Sequence, residues 1–174
     1  LEDIINEKKI KAISGVGEAA FYGPKVDVQM KDKRGQENTA FTVQYDFLGA
    51  GRFNLTYTDS DGAEKLASAI IHRSSIGAIE RIMAFLIEHY EGAFPTWLSP
   101  VQAKILPISD KHLEYAKSVY QKLMEAGVRV EIDESNETLG KKVRDAKMQK
   151  VPYLLVIGDK EVESKEVTVE SRTE

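Results

Sequence analysis

The 174-residue sequence contains no cysteine. That excludes disulfides and every thiolate metal site built from this chain alone. No apolar run approaches the roughly 18 residues of a membrane span, so no membrane partner is expected. The basic excess of a general nucleic-acid binder is missing as well: 24 Lys and Arg stand against 28 Asp and Glu, a net charge of −4. Any RNA contact must come from a local patch or from shape, and no DNA binding is expected. The first residues, Leu-Glu-Asp-Ile-Ile-Asn, form neither a signal nor a transit peptide and include no initiator methionine. The last residues stop just past a strand-like run. Both ends point to a piece of a longer reading frame. There is no internal repeat and no low-complexity tract. What is present is ordinary for a globular chain, 42% apolar and 30% charged residues, enough for one or two modest cores.

Residues 1–12 alternate charge with isoleucine, as at the end of a helix or in an exposed connection. Gly15, Gly17 and the corner Tyr22-Gly23-Pro24 punctuate the next stretch. Residues 26–31 alternate apolar and polar, the pattern of a half-buried strand. Residues 39–47 and 53–57 read as further strands, rich in aromatic and β-branched side chains, with turns at 32–35 and 59–62. This order predicts an antiparallel sheet. From Ser75 the period becomes helical: Ile76, Ile79, Met83, Leu86, Ile87 and Tyr90 share one face. Ser74 or Ser75 can cap that helix and Gly92 can close it.

Residues 92–100 hold two prolines and the only tryptophan, and read as a linker. Beyond it, a strand at 103–107 precedes a helix capped by Asp110, running to Glu125 and closed by Gly127. A strand at 128–132 leads to a helix from Glu137 or Thr138 to about Lys147. A fully buried type of strand follows at 153–158, and an edge strand at 166–170. This βαβαβ order predicts an α/β domain with a mixed, largely parallel sheet. The expected division is a first domain over 1–94, a linker over 95–100 and a second domain over 101–174.

Few residues suggest chemistry by type alone. His72 ends a strand, and by itself it is a packed or capping imidazole as readily as a ligand. Arg81 lies two turns into the expected helix. It reads as a snorkelling or ion-paired side chain, or as a guanidinium that faces a ligand. Lys141, Lys142, Arg144, Lys147 and Lys150 form a local basic cluster, either a solvated helix face or an RNA contact.

Taken together, several blocks carry more. His72-Arg-Ser-Ser-Ile-Gly-Ala-Ile-Glu-Arg81, followed by Phe94-Pro-Thr-Trp-Leu-Ser-Pro-Val-Gln102, resembles the third motif and domain junction of threonyl-tRNA synthetases, a class II aminoacyl-tRNA synthetase family. Gly17-Glu-Ala-Ala-Phe-Tyr-Gly-Pro-Lys25, Thr42-Val-Gln-Tyr-Asp-Phe47, and Val151-Pro-Tyr with Gly158-Asp-Lys-Glu161 resemble further segments of that family in the same order. The resemblance implies the end of an α+β catalytic domain with an antiparallel sheet, then an α/β anticodon-binding domain. It implies an ATP- and Mg2+-dependent ligase that joins L-threonine to tRNA(Thr), cytoplasmic, and homodimeric in its full length. His72 matches one of three protein ligands of a catalytic zinc ion. Lys25, Gln44 and Arg81 match catalytic positions, Tyr22, Gln44 and Arg81 match substrate-binding positions, and Asn136, Arg144 and Glu161 match anticodon contacts.

The sequence also departs from the family. Thr39 replaces a glutamine expected at ATP, Ala78 a serine, and Glu170 stands where relatives carry a basic residue. The other two zinc ligands and the first two motifs have no counterpart here, so the chain alone is expected to be inactive. A non-catalytic, synthetase-like tRNA-binding protein is the competing reading. A sister synthetase for proline, histidine or glycine is disfavoured by His72-Arg73 directly before the third motif.

Overall fold

The computed structural model describes residues 2–172. The chain divides into two compact units, Leu1–Ile82 and Met83–Glu174.

The first unit opens with a helix, α1 (Glu2–Glu7), and then two long strands, β1 (Lys25–Lys31) and β2 (Glu37–Asp46). These pair antiparallel, and β2 pairs antiparallel with β5 (Ile70–Arg73). Between them lie a short helix, α2 (Gly49–Arg52), and a hairpin of β3 (Thr56–Thr58) and β4 (Glu64–Leu66). The strand expected at 53–57 is therefore reduced to its last residues. The cause is Asp46, whose carboxylate accepts the N–H groups of Leu48 and Gly49 at 2.9 and 2.8 Å and turns the chain into α2.

Helix α3 (Ile79–Tyr90) begins later than its apolar period suggests. Ser74 does act as a local cap, accepting the Gly77 N–H at 2.8 Å, but the turn it closes is not helical. Gly77 has φ +75°, and a Cβ there would lie 2.0 Å from the Ala40 carbonyl oxygen. Only glycine fits, and the helix starts after it. Ala40 is itself the extra residue of a β-bulge, since Val28 pairs with Phe41 and Gln29 with Thr39.

Residues directly opposite in neighbouring strands share a face. Lys25, Gln44 and His72 form one such row across β1, β2 and β5. The opposite face carries Val26, Val43, Tyr45 and Ile71. The described hydrophobic side chains buried in this unit are only Ala40 and Ala50.

In the second unit β6 (Ala103–Pro107) leads through a 3-10 turn to α4 (Leu113–Glu125), then β7 (Val130–Ile132), α5 (Leu139–Met148), β8 (Tyr153–Ile157), α6 (Asp159–Ser164) and β9 (Thr168–Ser171). The sheet order is β7-β6-β8-β9, with the first three parallel and β9 antiparallel at the edge. Helix α6 replaces an expected connection. Helix α4 follows Ser109 and the turn Asp110–His112, so Asp110 is not its cap. Thr138 does cap α5, its hydroxyl accepting the Lys141 N–H.

Strand alternation sorts the core into two layers. Ala103, Ile105, Val130, Leu155 and Ile157 pack with Ala116 and Val119 of α4. Leu106 and Leu154 pack with Ala146 of α5. Helices α4 and α5 therefore cover opposite faces, as right-handed crossovers require. Residues 93–99 are tied to this unit by two arginines. Arg129 donates to the carbonyls of Trp97 and Ser99, and Arg172 to those of Ala93 and Phe94. The segment read as a linker is thus anchored along the second unit.

Candidate functional site

In the first unit the structure brings four of the expected residues together. The backbone of residues 22–24 runs beside β2, with Tyr45 N–H bonded to Pro24 O and Phe47 N–H to Tyr22 O. Gly23 makes this approach possible: at φ +152° a Cβ would sit 1.9 Å from the Tyr45 carbonyl oxygen. Tyr22 then donates its hydroxyl to Gln44 Oε1 at 2.5 Å. Its ring meets that of His72 edge-on at 6.3 Å. Gln44 lies opposite Lys25 on one side and His72 on the other.

Lys25 pairs with Asp27 at 2.7 Å, and Asp27 also accepts the Thr42 hydroxyl at 2.8 Å. The Lys25 bond holds the Asp27 carboxyl below the usual range, with the Thr42 hydroxyl acting in the same direction. Arg81 sits in the first turn of α3, since the helix begins at Ile79. It is exposed and donates to the Thr39 carbonyl at 2.8 Å, which ties α3 to the bulge in β2. The Thr39 hydroxyl is engaged with Gln29 across the strand pair.

His72 has a partner that sequence reasoning missed. Its Nε2 lies 3.1 Å from Asp46 Oδ2, on a side chain that is half exposed. The Gly49 N–H and then the His72 contact lower the Asp46 pKa. A fixed carboxylate on one ring nitrogen orients the other, Nδ1, which is how a metal-binding histidine is commonly supported. The donor chemistry fits zinc as one ligand. Among the described residues no group of three His, Cys, Asp or Glu side chains converges on a metal position.

In the second unit Asn136 and Glu161 follow the C-terminal ends of β7 and β8, where open α/β sheets form ligand crevices, and Arg144 lies midway along α5. Asn136 follows β7 and is exposed; Arg144 is exposed on α5, and neither side chain makes a hydrogen bond or ion pair among the described residues. Glu161, in α6, already has work within the fold: its carboxylate accepts the Gly158 N–H at 3.0 Å and the Thr168 hydroxyl at 2.8 Å. The Thr168 bond, then the Gly158 one, lowers its pKa.

The basic cluster is less uniform than its sequence. Lys142 is buried, with 5% exposure. Lys141 pairs with Glu137 and Lys147 with Glu170, each at 2.5 Å, and Lys150 donates to the Glu91 carbonyl. Arg144 is the member left free to meet a ligand. A groove of about 530 Å3 beside edge strand β7, lined by Lys117, Tyr120, Val130, Ile132 and Glu134, holds none of these residues.

Comparison with known proteins completes the picture. Residues 102–174 match the family model described as "Anticodon binding domain". A threonine–tRNA ligase from Clostridium perfringens is 52% identical over 172 residues, 99% of this chain. The one from Halalkalibacterium halodurans is 51% identical over 170 residues, 97% of this chain. The chain belongs to the threonyl-tRNA synthetase family. It spans only 27% and 26% of the length of those two relatives. The fold agrees: the RNA-binding domain of the threonyl-tRNA synthetase from Cryptosporidium parvum superposes with a TM-score of 0.85 at 38% identity, covering 98% of this chain and 43% of that one.

Two features of this synthetase segment were not legible beforehand. The tie between Asp46 and His72 joins positions 26 residues apart and is set by strand register. Glu170, one of the departures from the family pattern, pairs with Lys147.

Proposed function

We propose that this chain supplies part of the catalytic site and the anticodon-binding domain of a threonine–tRNA ligase, with the first domain over 1–94 and the second over 101–174. The observation that carries the reading is the cross-strand row Lys25, Gln44, His72 with Tyr22 bonded to Gln44, in a chain 52% identical to such ligases. The complete protein would act as a cytoplasmic homodimer.

The row offers donors and acceptors on one face, where a small polar substrate can be held in one orientation. His72 is the residue that would hold zinc, together with two ligands from elsewhere in the protein, and Asp46 would keep its ring in place. Zinc bound there would supply recognition of the amino and hydroxyl groups of threonine. Valine lacks the hydroxyl and is rejected far more strongly than a size difference alone allows. Tyr22 and Gln44 flank the amino acid. Arg81 keeps one guanidinium nitrogen on the Thr39 carbonyl, which fixes its plane and leaves other donors for Mg2+-bound ATP. The reaction is attack of the threonine carboxylate on the α-phosphate, then transfer of the acyl group to the terminal ribose of tRNA(Thr). Both steps depend on positioning and charge stabilisation. In the second unit Arg144 and Asn136 suit hydrogen bonding and stacking on splayed bases. Glu161 serves there as well.

Two measurements test this. Arg144→Ala should weaken binding of tRNA(Thr) to this chain without loss of stability; equal affinity for both proteins would remove Arg144 from the site. The isolated chain should show no threonine-dependent ATP–pyrophosphate exchange, and the complete enzyme should lose both zinc and exchange on His72→Ala. Exchange by the chain alone would contradict the division of the site.

A further inference from the structure

Three segments leave the parallel sheet at its C-terminal end: residues 108–112 after β6, 133–138 after β7, and 158–161 after β8. Two buried polar side chains connect them. His112 has 3% exposure. The Ser109 N–H donates to its Nδ1 at 3.2 Å, so Nδ1 is the acceptor and Nε2 carries the proton. Nε2 then donates to Asp159 Oδ1 at 3.1 Å, in the first turn of α6. This joins the segment after β6 to the segment that carries Glu161. Lys142 has 5% exposure. Its Nζ donates to the Pro107 carbonyl at 3.2 Å and to the Asp133 carbonyl at 3.0 Å. This joins the end of β6 to the segment that carries Asn136, and anchors α5 two residues before Arg144.

Neither choice favours stability. A buried ammonium and a buried imidazole each forgo water, and an apolar side chain of similar size would fill the space at lower desolvation cost. What the polar pair adds is direction. Each bond constrains one strand end relative to its neighbour, and together they fix three segments that must meet one ligand. Asp159 is also paired with Lys111 at 2.7 Å, so no free carboxylate from that turn faces a phosphate backbone.

We infer that His112 and Lys142 are positioning residues for RNA recognition, holding Asn136, Arg144 and Glu161 in the arrangement that reads the anticodon without touching RNA themselves. The inference rests on the anticodon reading above.

The test uses this chain and two RNA hairpins, one with the tRNA(Thr) anticodon loop and one with two anticodon bases changed. The quantity read is the ratio of the two dissociation constants. His112→Leu and Lys142→Met should each lower that ratio by about tenfold, the worth of one well-placed contact, while thermal unfolding confirms a folded domain. Asp159→Ala breaks the His112 tie from an exposed position, so it reports even if His112→Leu does not fold. It should lose discrimination too, and Asp159→Asn, which keeps an acceptor for Nε2, should retain it. An unchanged ratio in the folded variants would overturn the inference, as would equal weakening of both hairpins, the mark of a merely structural role. If the unmodified chain fails to discriminate, the anticodon reading itself falls, and this inference with it.

Discussion

At the scale of single residues, the environment of a side chain matters more here than its type. His72 and His112 are both histidines facing an aspartate at 3.1 Å, yet one is half exposed and the other nearly fully buried. The first keeps a nitrogen for a ligand, while the second uses both for the fold. Asp46 has a measurable consequence. Two backbone N–H groups, Gly49 and Leu48, and His72 favour its ionised form, so its folded pKa lies below its unfolded value. The stability it contributes is present above the ordinary aspartate value of about 4 and is lost as pH falls through the depressed folded value. Urea midpoints of the parent should therefore drop between about pH 5 and acid. Those of Asp46→Asn should start lower and depend less on pH. Parallel curves for the two proteins would show that Asp46 carries no such term.

Among the elements, the junction between β2 and α3 is the most constrained. Its apolar period predicts a helix from Ser75, and the chain delays it to Ile79. The reason is a close approach that no local pattern encodes. Gly77 passes over the Ala40 carbonyl at the bulge, and Arg81 then reaches the Thr39 carbonyl. Gly77→Ala should cost about 2–3 kcal/mol, from the positive φ and the clash together. Amide exchange in β1, β2 and β5 should accelerate, with β6 and β8 unchanged. Normal exchange in the variant would mean that the bulge yields freely. The long strands β1 and β2, the βαβαβ order and the start of α5 at Glu137 or Thr138 were legible because each needs only a contiguous pattern. Strands β3 and β4 have three residues each, too short to show a period. Helix α6 escaped notice for the same reason, with six residues and a glycine at its cap.

For the whole molecule, the contrast lies between the two units. The second buries Ile105, Leu106, Leu154, Leu155 and Ile157 in two layers, whereas the first buries only alanines among its described hydrophobic side chains. Val26, Tyr45 and Ile71 of its sheet are more than a third exposed. Burial of apolar surface sets local stability, at roughly 25 cal/mol per Å2. Native-state hydrogen exchange should then give the highest protection in β6, β8 and α4, and lower protection throughout β1, β2 and β5. Equal protection in both sheets would count against this account.

The sequence by itself determined the family and most of the order of elements, since motifs and periodicity are written in neighbouring residues. It also placed Tyr22, Gln44 and His72 in one expected site. Only the tertiary structure decided which side chains those residues meet. Asp46 reaches His72 across 26 positions, Lys142 reaches Pro107 across 35, and His112 reaches Asp159 across 47. Such partners follow from sheet register and strand order, which bring distant backbone segments within hydrogen-bonding distance. A run of five basic residues looks uniform in one dimension. Folding buries one, pairs two with acids, sets another against a carbonyl and leaves Arg144 facing outward.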